Sequence, residues 1–86
     1  MARRFVYVYT MKHLPDRIRE LVPKHVEYWK SRHLDGYAGG PFADRSGGLI
    51  VFDATTVEDA NGLADADPFV THGLIETRWV KEWLPQ

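Results

Sequence analysis

Two short runs, Phe5-Val6-Tyr7-Val8-Tyr9 and Leu49-Ile50-Val51-Phe52, are apolar at every position, and they constrain the fold more than anything else in the sequence. β-Branched and aromatic residues in runs of this length read as strands. Successive strand side chains point to opposite faces, so Val6 and Val8 share one face while Phe5, Tyr7 and Tyr9 share the other. A strand wet on one side alternates apolar with polar residues, whereas these two are predicted to be covered on both. The chain has 86 residues, enough for a single domain (residues 1–86) with one modest core.

Helical patterns separate the strands. Pro15-Asp16 opens a helical region reaching about Leu34, with Ile18, Leu21 or Val22, Val26, Trp29 and His33 as its buried stripe. Pro23 interrupts that pattern, so a short helix followed by a second from about Pro23 to Leu34 is expected, stopped at Asp35-Gly36. Tyr37–Ala43 and Gly48–Ala54 flank the turn-forming Asp44-Arg45-Ser46-Gly47 and read as a hairpin. Its first arm is irregular, because Gly39-Gly40-Pro41 weakens a ladder. Thr55-Thr56-Val57-Glu58 reads as a capping box with Thr55 at the N-cap, opening a helix to about Ala66 that buries Val57, Ala60, Leu63 and Ala64. Leu74–Leu84 is the last strand, with Ile75, Trp79 and Trp83 at even spacing.

The resulting order, βαββαβ, is the α+β ferredoxin-like arrangement: a four-stranded antiparallel sheet with both helices on one face. The other face is then bare although its central strands are apolar, and such a patch marks an interaction site. A two-fold homodimer through the open sheet face, closing a dimeric α+β barrel, is the simplest way to cover it.

Composition narrows the function. A net charge of -1 with Lys and Arg scattered along the chain gives no reason to expect nucleic acid or an anionic membrane as partner. The absence of cysteine excludes disulfides, thiol catalysis and thiolate metal sites. Met1-Ala2-Arg3-Arg4 resembles a signal-peptide start, but the apolar run behind it is too short for secretion or for a membrane span, so a cytoplasmic protein is expected.

Chemistry centres on Asp67-Pro68-Phe69 in Ala64–Leu74. A residue before proline is pushed out of the α region, so Asp67 sits where a helix stops, while Pro68 starts a new turn and Gly73 ends it. Asp67 then either caps that turn or offers a functional carboxylate. The fold brings the early part of the first helix near the end of the second, which makes His25 a candidate partner. A carboxylate on one imidazole nitrogen leaves the other free as base or acid. His33 reads as a core-edge residue, and His13 and His72 as loop residues. An Asp67, His72 and His25 metal site lacks recognised ligand spacing, so no metal is expected. Gly39-Gly40 allows close backbone approach to a ligand, and Tyr7, Tyr9, Phe42, Phe69, Trp79 and Trp83 are either pocket lining or core and dimer interface.

Pro23-Lys24-His25-Val26, Gly39-Gly40-Pro41-Phe42 and Asp67-Pro68-Phe69-Val70-Thr71-His72-Gly73-Leu74 together resemble the YciI-like family over nearly the whole length. The resemblance implies a dimeric α+β barrel whose subunits carry a facing His and Asp as an acid–base pair, here His25 and Asp67. Tyr9, Gly40, Pro41, Phe42 and Phe69 are the candidate substrate-binding residues around that pair. The family's arginine shortly before the histidine has no counterpart, since Leu21 and Val22 stand there, and Arg17 or Arg19 would have to substitute. The best-defined activity in that family is dehydrochlorination of a chlorinated hydroxyhydroquinone to a hydroxybenzoquinone, and the related muconolactone isomerases move protons in a similar barrel. The implied function is a cofactor-free lyase or isomerase for a small aromatic or quinonoid substrate. The alternative is a non-catalytic small-molecule-binding or accessory dimeric module.

Overall fold

The computed structural model describes residues 2–86. Strands β1 (Arg3–Met11), β2 (Ala38–Pro41), β3 (Gly47–Ala54) and β4 (Ile75–Glu82) form one sheet in the order β2-β3-β1-β4. Every neighbouring pair is antiparallel. Helices α1 (Pro15–Ser31) and α2 (Val57–Asp65) and the single turn α3 (Pro68–Thr71) complete the expected βαββαβ fold.

The two wholly apolar strands lie side by side at the centre, with Phe5 opposite Phe52 and Tyr7 opposite Ile50. Phe5, Tyr7, Tyr9, Ile50 and Phe52 are buried towards the helices, where Trp29, Leu74 and the small side chains of Ala60 and Ala64 meet them. Val6 and Val8 pair with Val51 and Leu49 on the opposite face and are only half-buried.

Four local expectations are corrected. Helix α1 runs unbroken through Pro23. That residue lies on the exposed face, where water can meet the Arg19 carbonyl that has lost its donor. The buried stripe of α1 is Leu21, His25 and Trp29, not Val22 and Val26, and His33 lies beyond the helix end, exposed and in a left-handed conformation (φ 51°). The N-cap of α2 is Thr56, whose hydroxyl accepts from the Asp59 N–H at 3.1 Å. Capping geometry needs an extended residue immediately before the helix, and Thr56 supplies it one place later than the capping-box pattern suggests. Finally, the register of β4 shifts between Thr10 and Met11. The shift leaves Ile75 opposite Met11 and packed on the core, while Trp79 faces Val8 on the open side. Even spacing therefore does not put Ile75 and Trp79 on one face, because a bulge between them inverts the alternation.

Candidate functional site

Asp67 occupies the corner between α2 and α3, and its side chain is wholly buried. Its φ and ψ of -59° and 131° are those a residue before proline prefers. One oxygen, Oδ1, accepts from the Phe69 N–H at 2.8 Å, which caps α3. The same oxygen is 2.9 Å from His25 Nδ1, and Oδ2 accepts from Trp29 Nε1–H at 2.9 Å. Capping and pairing, set as alternatives by the sequence, are both made by one carboxylate.

The imidazole is oriented from several sides. His25 and Trp29 are one helical turn apart on α1, so both reach the same carboxylate. The Phe69 ring lies flat against His25, with centroids 4.0 Å apart and planes 8° from parallel. A carboxylate can only accept, which places the imidazole proton on Nδ1 and leaves Nε2 as an acceptor. The Tyr9 hydroxyl lies 3.3 Å from Nε2 and donates to it. Burial, followed by the negative charge of Asp67, pushes the Tyr9 phenol well above its ordinary range, so it stays a neutral donor. Gly48 sits opposite Tyr9, and a Cβ there would collide with the Tyr9 hydroxyl; a glycine is what lets this ring lie where it does.

His25 and Tyr9 open onto a cavity of ≈ 360 Å³ between α1, α3 and the β2–β3 side of the sheet. This is the small end of the range for ligand pockets and suits a single ring. Phe69, Gly40 and Pro41 line it, and Phe42 does not. Gly39 pairs with buried Ile50, so the alternation that turns Gly39 and Pro41 towards the helices turns Phe42 away. Met11, Ile18, Val22 and Val26 add apolar walls, and Tyr37, Lys30 and Arg45 add polar groups. Val22, Val26 and Lys30 recur every fourth residue beside His25. In the sequence, Val22 and Val26 carry the spacing of a core stripe, and Lys30 does not belong to it. Arg17 and Arg19 are exposed and outside this cavity, and Arg19 instead pairs with Asp16 at 3.1 Å. Trp79 and Trp83 lie exposed, Trp79 on the far side of the sheet, and His72 is exposed beside the Pro68 carbonyl rather than with the pair. Among the described residues, no three His, Cys, Asp or Glu side chains are grouped to hold a metal. No helix among them is long and apolar enough to cross a membrane.

The YCII-related domain family matches residues 4–84. The chain belongs to that family. Within curated relatives of this YCII-related chain, the uncharacterized protein YjpA of Bacillus subtilis strain 168 is 43% identical over 44 residues, and the chain spans about half its length, 51%. Among solved structures, 5-chloro-2-hydroxyhydroquinone dehydrochlorinase (TftG) from Burkholderia phenoliruptrix AC1100, in complex with 2,5-dihydroxybenzoquinone, superposes with a TM-score of 0.80. It is 17% identical, and the match covers 94% of this chain and 93% of that one. A Shewanella oneidensis protein matches with a TM-score of 0.58 at 14% identity, covering 95% of this chain and 88% of its own. At these identities the structural likenesses establish a shared fold.

Proposed function

We propose that this protein is a small-molecule lyase in which His25 moves protons on a one-ring substrate and Asp67 holds its tautomer. The observation that carries the reading is the buried chain Asp67–His25–Tyr9, whose Nε2 end opens into a ring-sized apolar cavity. The likeness to TftG, whose named substrate is a chlorinated hydroxyhydroquinone, supports dehydrochlorination as the reaction.

Loss of HCl from such a ring needs proton transfer twice. One hydroxyl gives up a proton and the chlorine-bearing carbon takes one, converting the phenol to its keto tautomer. Chloride then leaves with the C–Cl electron pair as a second hydroxyl loses its proton, and the ring is left as the hydroxyquinone. His25 Nε2 accepts the first proton as the Tyr9 O–H turns from it to the substrate, its positive charge is stabilised by the Asp67 carboxylate at Nδ1, and the imidazolium or the Tyr9 O–H can return a proton to carbon. The ring's own hydroxyls supply the electrons that expel chloride. A stacked Phe69 fixes the imidazole plane so that Nε2 keeps its direction through the transfers.

The test is turnover of 5-chloro-2-hydroxyhydroquinone followed by absorbance and chloride release. In a folded His25→Ala protein, turnover is expected to fall by roughly 10²–10⁴. Unchanged turnover would remove His25 as the base. Binding without chloride release in the unaltered protein would favour the non-catalytic module.

A further inference from the structure

The rim of the cavity at His25 carries two cations, while the nearby Asp67 carboxylate is buried behind the imidazole. The whole chain carries a net charge of -1, yet Lys30 and Arg45 line the cavity and no Asp or Glu does. Lys30 enters from the last turn of α1, beyond Val26, while Arg45 enters from the β2–β3 turn beside Met11 and Ile18. His25 lies on α1 between the levels of Ile18 and Lys30. Neither cation is spent elsewhere: the ion pairs among the described residues use Arg3, Arg4, Arg19, His25 and Arg78.

Arg45 is also costly where it stands. Its φ of 65° is one that glycine adopts freely and a residue with a Cβ adopts at a penalty. The turn does not need its guanidinium. The Arg45 N–H donates to the Phe42 carbonyl at 2.9 Å, the Phe42 N–H donates to the Gly47 carbonyl at 2.8 Å, and the Asp44 carboxylate accepts from the Ser46 N–H at 3.0 Å. An arginine at a position suited to glycine, exposed, lining a cavity and in no ion pair among the described residues, is placed to meet a charged ligand.

We propose that Lys30 and Arg45 are the anion-binding groups of this site, and that it takes a one-ring substrate or product bearing ionised oxygens, held with His25 between the two cations. The inference rests on reading the cavity as a ring-binding site and adds the charge of what it binds. An anion in the cavity would gain charge-assisted hydrogen bonds from either exposed cation. A hydroxyquinone is a vinylogous carboxylic acid, ionised near neutral pH with its charge spread over ring oxygens, and it fits this description as either product or analogue.

The experiment is calorimetric titration with two single-ring probes near neutral pH: 2,5-dihydroxybenzoquinone, which is ionised there, and 1,4-hydroquinone, which is neutral. The unaltered protein, Arg45→Gly and Lys30→Met are compared, with thermal unfolding of each. The methionine keeps the apolar stem that lines the wall. Each variant is expected to lose about tenfold or more in affinity for the ionised probe and to keep its affinity for the neutral one. The ionised probe should also weaken in the unaltered protein as salt rises from about 20 mM to about 200 mM, and Arg45→Gly should melt no lower than the unaltered protein. Variants that hold the ionised probe as tightly as before, or that lose both probes alike, overturn the assignment while leaving the ring site standing. An unaltered protein that binds neither probe overturns both.

Discussion

At the scale of single residues, two tyrosines on one strand have different fates. Tyr9 reaches His25, whereas the Tyr7 hydroxyl is buried with no hydrogen-bond partner among the described residues. Burial, then the charge of Asp67, raises both phenols well above their ordinary range. The folded chain therefore keeps these protons after the unfolded chain has released them, and stability that is intact below about pH 10 should fall as pH rises beyond it. Tyr7→Phe is expected to flatten that alkaline decline and to stabilise the protein at neutral pH by about 1 kcal/mol, since it removes an unpaired buried hydroxyl. Urea unfolding at neutral and alkaline pH reads both effects, and a destabilised Tyr7→Phe would show that the hydroxyl has a partner. The sequence could place both rings on one face by alternation, but which hydroxyl would find an acceptor depended on where α1 carried His25.

At the scale of elements, α1 shows what a local pattern can and cannot say. Pro23 reads as a break because it removes one helical hydrogen bond, yet the helix holds Leu21, His25 and Trp29 against the core on both sides of it. Tertiary contacts outweigh the missing bond. Pro23→Ala is expected to restore that bond and stabilise the protein by roughly 1–3 kcal/mol, measured by chemical denaturation, because the position is exposed and interior to the helix. The stripe was misassigned for a related reason. Apolar Val22 and Val26 carry the periodicity of a buried face, and they do turn inward, but towards a cavity rather than a packed core, and they remain 40% and 37% exposed. Periodicity reports which way a side chain points and not what it meets. Topology made His25 and Asp67 candidates to meet, as any two residues at those helix ends would be, and the resemblance to the YciI-like family singled them out. The two cations of the cavity were not legible, because Arg45 reaches it from a turn whose path the sequence leaves open.

For the whole molecule, the helices cover one face of the sheet only. Val6, Val8, Leu49 and Val51 lie at the centre of the other, with Trp79 opposite Val8 and 46% exposed. We expect two copies to pack through this face, since a contiguous apolar patch with an exposed tryptophan is a common signature of an interface. Val8→Glu or Trp79→Glu should then give a monomer in sedimentation at micromolar concentration, with the unaltered protein sedimenting as a dimer. A monomeric unaltered protein would end that expectation.

Asp67 links these scales. Its two oxygens cap α3, anchor Trp29 and orient His25. Replacing it by Asn turns an amide N–H towards one of those donors, and a loss of about 1–3 kcal/mol in stability is expected alongside any loss of turnover, measured as a lower melting temperature. Folding alone thus favours an aspartate here, whatever the chemistry at His25. Trp29, Phe69 and His25 would stay with it, since the imidazole is buried, meets the same carboxylate and stacks on Phe69. An aspartate at this position therefore reports first on the fold, and by itself says little about turnover.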